Sequence, residues 1–233
     1  MTIAFVTGGS RGLGLETARG LRSRGIDVVL IASNDELLAK SAREIGAEYA
    51  VVDLSDLEAA RALAEDLLTK YGAPDILILA HGVMSEKMSK TLHTTTQEWR
   101  RVMAINLDSV FVLINTIVPS MAQLRRGRVI IFSACLGRMS GPGNTGGLAP
   151  YRVSKAAVNA LVRNLAHETG LGKRGLLVDA TCPNHSRTDM GGETAPRSAQ
   201  EGAATALWLA TREFEPGVDQ TGLFWEDQRV IPW

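Results

Sequence analysis

Cysteine is scarce in this 233-residue chain: Cys135 and Cys182 are the only two, and no C-x-x-C spacing joins them. That rules out a disulfide scaffold and suits a reducing compartment. No pair of histidines has metal-ligand spacing, so no metal is expected. Net charge is also lacking, with 25 acidic and 25 basic residues. The chain thus carries no electrostatic footprint for nucleic acid. No apolar stretch reads as long enough to span a bilayer, and the N-terminal apolar run is far too short for a signal peptide. Repeats, low-complexity tracts and linkers are missing as well. The expectation is one soluble, cytoplasmic domain over residues 1–233, large enough to bury a full core without disulfides or metal.

What is present is an unbroken alternation of strand-like and helix-like segments. Apolar runs fall at 3–6, 28–32, 49–52, 76–80, 128–133 and 176–182, with a short last one at 222–225. Helical patterns fall at 13–24, 35–45, 57–71, 97–124, 151–168 and 199–211. Strands this apolar are covered on both faces, as in a parallel sheet. The alternation therefore predicts an α/β fold: a Rossmann-type doubly wound parallel sheet of about seven strands with helices on both faces.

Two segments carry chemistry. Thr7-Gly8-Gly9-Ser10-Arg11-Gly12-Leu13-Gly14 follows the first strand and opens a helix. Gly8 and Gly12 can take backbone angles closed to other residues, and Gly14 lets helix and strand approach. The free N–H groups of the helix start then offer a site for a dinucleotide pyrophosphate. Far downstream, Tyr151-Arg152-Val153-Ser154-Lys155 places a phenol and an ammonium four residues apart, on one helix face. A nearby positive charge is expected to lower the phenol pKa, fitting Tyr151 to exchange a proton with a carbonyl or alcohol oxygen.

Together and in this order, these segments resemble the short-chain dehydrogenase/reductase family, and within it the carbonyl-reductase-like branch. The resemblance covers essentially the whole chain. It implies that Tyr151 is the acid/base, with Lys155 holding the nicotinamide ribose and Asn106 supporting a proton-relaying water chain. Asp53-Leu54 falls where the family contacts the adenine, Gly82 keeps the backbone approach near the ribose, and Pro183 and Thr188 match the motif beside the nicotinamide. Relatives commonly form homodimers or homotetramers through long helices, here 97–124 and 151–168.

The chain also departs from the family pattern. The second serine after the fifth strand is replaced by Ala134, and Ser133 cannot substitute, because neighbouring strand residues face opposite ways. Ser140, Asn144 or Thr145 in the glycine-rich 138–149 loop could supply the missing hydrogen bond. Leu79-Ala80-His81-Gly82 replaces the family's Asn-Asn-Ala-Gly, putting the His81 imidazole near the expected cofactor ribose, and Pro183-Asn184-His185 replaces Pro-Gly, with His185 expected at the pocket mouth. Ala134, Asn144, Thr145, Asn184 and His185 are the candidate substrate residues. Trp99 and Trp208 read as packing residues, and Cys135 as a buried inert thiol.

Cofactor choice turns on the end of the second strand, where an acidic residue would bond a ribose 2′-OH. Ala32 stands there instead. Arg11 supplies positive charge, and Ser33 or Asn34 could donate hydrogen bonds, so NADP(H) is expected, with NAD left open. Thr7, Ser10, Leu13 and the loop glycines complete the cofactor set. The expected activity is NADP(H)-dependent reduction of a small to medium organic carbonyl, or oxidation of the matching alcohol. The alternative, motivated by Ala134, is a non-redox cyclase, dehydratase or epimerase on the same fold.

Overall fold

The computed structural model describes residues 2–86, 89–141, 146–216 and 218–233. Its strands are β1 (Ile3–Thr7), β2 (Asp27–Ala32), β3 (Glu48–Val51), β4 (Ile76–Leu79), β5 (Gly127–Phe132), β6 (Leu176–Thr181), β7 (Phe224–Glu226) and β8 (Arg229–Val230). Between them run α1 (Gly12–Arg22), α2 (Asp35–Ile45), α3 (Leu57–Tyr71), α4 (Thr96–Met103), α5 (Ser109–Gln123), α6 (Ala149–Glu168) and α7 (Ala199–Thr211). The sheet order is β3-β2-β1-β4-β5-β6-β7-β8, parallel throughout except for β8, which pairs antiparallel with β7. The expected doubly wound sheet is therefore present, with one short strand more than the sequence suggested.

Period two within the strands divides the core. Phe5, Leu77, Leu79, Val129, Ile131 and Val178 face one layer, where α3, α5 and α6 pack. Ala4, Val6, Ile76, Ile78 and Ile130 face the other, against α1, α2 and α7. Each fully buried Leu, Ile or Phe contributes about 1.5–3 kcal/mol of transfer free energy, so both faces of the sheet are strongly held. Crossovers leave β1 toward β2 on one side and β4 on the other. Their carboxyl ends diverge there, at the switch point where such sheets take ligands.

Three expectations need correction. The 97–124 helix is not uniform: α4 passes through a π-helical turn (Ala104–Asp108) into α5. The continuous helix Thr96–Gln123 is also long and apolar enough to cross a membrane by length and composition, contrary to the sequence reading. Its apolar side is core, however: Val110, Leu113, Ile114, Ile117 and Met121 are buried against the sheet and α3. Trp99, expected to pack, is exposed, and Glu98 is buried in its place. The helical phase explains this, because Glu98 and Val102 share the inward face. Glu98 is tolerated there because Arg101 and the Glu86 amide donate to its carboxylate. Trp208 does pack as expected, edge-on to Trp225 with ring centroids 5.1 Å apart.

Candidate active site

At the switch point a groove of about 310 Å³ is lined by Gly8, Ser10, Arg11, Gly12, Leu13 and Gly14 from the β1–α1 turn. Ala32, Ser33, Asp53, Leu54 and Gly82 line it from the ends of the neighbouring strands. The glycines are required by geometry. Gly8 has φ +66°, and a Cβ there would sit 3.0 Å from the Ala80 carbonyl and the His81 amide. A Cβ on Gly14 would fall 2.3 Å from the Gly8 carbonyl oxygen. On Gly12, at φ +57°, it would press on Thr188 at 3.2 Å. This cradle fits a dinucleotide pyrophosphate at the start of α1. Thr7 lies beneath the loop, fully buried, and accepts a hydrogen bond from the Ala80 amide.

The charged rim differs in detail from expectation. Arg11 is ion-paired with Asp189 across the groove at 2.9 Å, both side chains being exposed. Asn34 does not line the groove; its side chain caps α2 by accepting from the Leu37 amide. Asp53 accepts from the Ser55 amide and hydroxyl, and these bonds hold its carboxyl below the usual range.

Tyr151 and Lys155 lie on the inward face of α6, and both are buried. The Lys155 ammonium donates to the Phe132 carbonyl at 2.8 Å and sits 5.9 Å from the Tyr151 ring centre. Burial pulls the Lys155 pKa down to about 8. The Tyr151 phenol moves the other way: burial pushes it up, and negative charge on Cys182 and Cys135 adds to the effect. The expected lowering by Lys155 is thus overturned, because desolvation outweighs an ammonium that points at the β5 carbonyl.

Asn106 sits in the π-helical turn, a form of helix that often marks functional sites. It is fully buried, accepts from the Val83 amide at 2.7 Å and donates to the Val83 carbonyl and the Ser154 hydroxyl. Asn106 therefore ties the segment after β4 to α6. His81 likewise proves to be a strut. Its Nε2 lies 2.8 Å from the Ser109 hydroxyl, which donates to the Ile105 carbonyl, and its Nδ1 lies 2.6 Å from the Thr7 hydroxyl. Burial, with the Lys155 charge adding, drops its pKa to about 3, which keeps the imidazole neutral.

Beside the groove lies a second cavity of about 380 Å³, lined by Ala134, Cys135, Leu136, Tyr151, Cys182, Pro183, Asn184 and His185, among others. It shares Leu13, Thr188 and Met190 with the groove. Ala134 faces this cavity, whereas the Ser133 hydroxyl donates away from it to Asn159 at 2.6 Å. The strand alternation argument holds. Asn144 and Thr145 lie outside the described residues. Ser140 does not line the cavity, and among the described residues its buried hydroxyl has no hydrogen-bond partner.

Asn184 has φ +57°, a left-handed angle that asparagine tolerates better than most residues. This explains how it stands in for glycine. Its amide donates to Glu226, and its carbonyl accepts from the His185 amide. His185 is at the mouth as expected, with Nε2 2.8 Å from the Gly191 carbonyl oxygen. Sequence reasoning missed Met84, Leu136, Met190 and Gly191 in the lining and the contact between the two cysteines. No local spacing signals any of them.

A nucleotide cradle at the switch point and a buried Tyr–Lys pair beside an adjoining cavity define a dinucleotide-dependent oxidoreductase architecture. The short chain dehydrogenase profile matches residues 2–199, and the chain belongs to that family. It is similar to the 3-oxoacyl-[acyl-carrier-protein] reductase FabG of Escherichia coli K12, with 30% identity over 190 residues, covering 81% of this chain and 75% of that protein. A short chain dehydrogenase from Shigella flexneri 2a, solved with NADP, superposes with a TM-score of 0.80 at 25% identity, covering 96% of this chain and 95% of its own. A Salmonella enterica serovar Typhi short chain dehydrogenase shares the fold at TM-score 0.85 and 24% identity, over 98% of this chain and 96% of its own. The non-redox alternative is not favoured by these relatives.

Proposed function

We propose that the protein reduces a carbonyl on a small to medium organic substrate with NADP(H), or oxidises the matching alcohol. The observation that carries this reading is the junction of groove and cavity at Leu13, Thr188 and Met190, with the Tyr151 side chain on the cavity side. Absence of an acid at Ala32, together with Arg11 on the rim, supports NADP(H) over NAD. A bound nicotinamide supplies or accepts the hydride.

The chain's own residues do the rest. Burial keeps the Tyr151 phenol protonated near neutral pH, which makes it a proton donor to a substrate carbonyl oxygen. Lys155 and Gly82 lie close together, a Cβ on Gly82 falling 3.6 Å from the Lys155 nitrogen. Lys155 would hold the nicotinamide ribose there, and Asn106 would support the relay that returns a proton to Tyr151. Ala134 offers no hydroxyl to the substrate oxygen, so Tyr151 carries that contact alone among the proposed catalytic residues. The rate is correspondingly modest, because one missing oxyanion-type donor costs about 10²–10³. Exposed Trp99, Phe111 and Val153 on α4, α5 and α6 support a homodimer or homotetramer through these helices.

The test is NADPH consumption over a panel of ketones, aldehydes, quinones and 3-oxoacyl thioesters. Turnover with at least one class is expected. NADPH binding without turnover on any of them would overturn the reading.

A further inference from the structure

Cys135 and Cys182 are 47 positions apart, yet the sheet brings them together. β5 and β6 pair in parallel, with Phe132 opposite Thr181. Cys182 follows Thr181 directly, and Cys135 opens the short 3-10 turn Cys135–Gly137 just past β5. The Cys135 amide donates to the Cys182 sulfur at 3.2 Å, and the Asn184 amide donates to the same sulfur at 3.4 Å. The two thiols are close enough to perturb one another's ionisation. Both line the cavity that holds Tyr151, Cys135 being half-buried and Cys182 buried.

Coupling between the two neighbouring thiols lowers the Cys135 pKa and raises that of Cys182. Access points to the same sulfur, because Cys135 is the more exposed of the two. Arg138 and Glu226 are the charged groups acting on it, with opposite effects. None of the catalytic roles assigned above uses either thiol.

We propose that Cys135 and Cys182 form a dithiol modification site in the substrate cavity: Cys135 reacts with a hydroperoxide, and Cys182 then closes a reversible disulfide with it. In the first step the Cys135 thiolate attacks the peroxide. An S–O bond forms, the O–O bond breaks, and the departing alkoxide or hydroxide takes up a proton. The sulfur is oxidised by two electrons and the peroxide is reduced to an alcohol or water. In the second step Cys182 loses its proton and attacks the sulfenic sulfur. The S–S bond forms, the S–O bond breaks, and hydroxide leaves with that proton as water. The Cys182 sulfur already lies at hydrogen-bonding distance from the Cys135 backbone, so closure needs a rotation of the Cys135 side chain rather than a strand movement. A cross-link there reshapes the wall of the cavity that Tyr151 also lines, blocking substrate and leaving the nucleotide groove alone. This last consequence rests on the proposed function; the chemistry of the thiols does not.

The experiment treats the full chain with hydrogen peroxide at a slight excess and maps the product by mass spectrometry. The expected product has lost two hydrogens, shows a linked Cys135–Cys182 peptide pair and reverts with dithiothreitol. Cys182→Ala should stop at a sulfenic acid on Cys135, trapped by dimedone. Cys135→Ala should consume peroxide at least about ten-fold more slowly than the wild type. Wild-type protein that keeps both thiols alkylatable, or carries unlinked sulfinic acid on Cys135, would overturn the site. So would a folded Cys135→Ala variant that reacts as fast as the wild type.

Oxidised wild type should also lose turnover at least about ten-fold while binding NADPH unchanged. Undiminished turnover with the cross-link present would overturn the blocking role alone. Should the protein reduce no carbonyl, the linkage result still decides the modification site.

Discussion

The nucleotide groove and the substrate cavity meet at Leu13, Thr188 and Met190 but are built from different materials. The groove is drawn mainly from short segments directly after β1, β2, β3 and β4, with glycines shaping its β1–α1 turn. Its shape follows from what a Cβ would strike at Gly8, Gly12 and Gly14. The cavity is side chains, drawn from the ends of β5 and β6, from α6 and from the loop beyond Pro183. A backbone site tolerates little change and keeps one ligand. A side-chain site changes residue by residue, and Ala134, Asn184, His185 and the cysteine pair show such changes.

Substitutions should separate the two halves. The largest effect is expected from Tyr151→Phe, which removes the proton donor: turnover should fall by about 10²–10⁴ while NADPH affinity stays within about two-fold. A comparable loss of NADPH binding would erase the distinction between halves. Ala134→Ser adds the missing donor and should raise turnover by about ten-fold or more without moving NADPH affinity, as steady-state kinetics would reveal. Gly12→Ala acts on the other side. With φ +57° and Thr188 close by, it should cost about 1 kcal/mol of stability and weaken NADPH about ten-fold, read by thermal melting and fluorescence titration.

His81 sharpens the comparison through pH, because it braces the groove side by hydrogen bonds from both ring nitrogens. Its folded pKa of about 3 lies below the ordinary 6.5, so in that window the unfolded chain binds the extra proton. Stability should be fully present above about pH 6.5 and decline as pH falls toward 3, by up to about 1.4 kcal/mol per pH unit. Denaturant titrations at several pH values should show His81→Asn with a shallower slope than the wild type. Equal slopes would remove His81 from the account.

The same division explains what the sequence made legible. Strand–turn–helix spacing, loop glycines and a Tyr–Lys pair on one helix face are local patterns, and the α/β sheet and groove followed from them. The inward turn of Glu98 was hidden because helical phase places it inside, where Arg101 one turn on and the Glu86 amide offset the cost of burying its charge. The phenol of Tyr151 was misjudged because four-residue spacing reports proximity to Lys155 but not desolvation, nor the carbonyl that the ammonium chooses. The Cys135–Cys182 contact was hidden because a register between β5 and β6 creates it, and no periodicity within either strand encodes that register.

The most direct test of the central claim follows the hydride itself. NADPH deuterated at the nicotinamide C4 would be supplied with a carbonyl substrate from the panel, and the product carbinol carbon examined by mass spectrometry. The account predicts deuterium on that carbon with wild-type protein, at a rate that collapses in Tyr151→Phe. Product formed without deuterium from either labelled face of the ring, or at an equal rate in the variant, would contradict it.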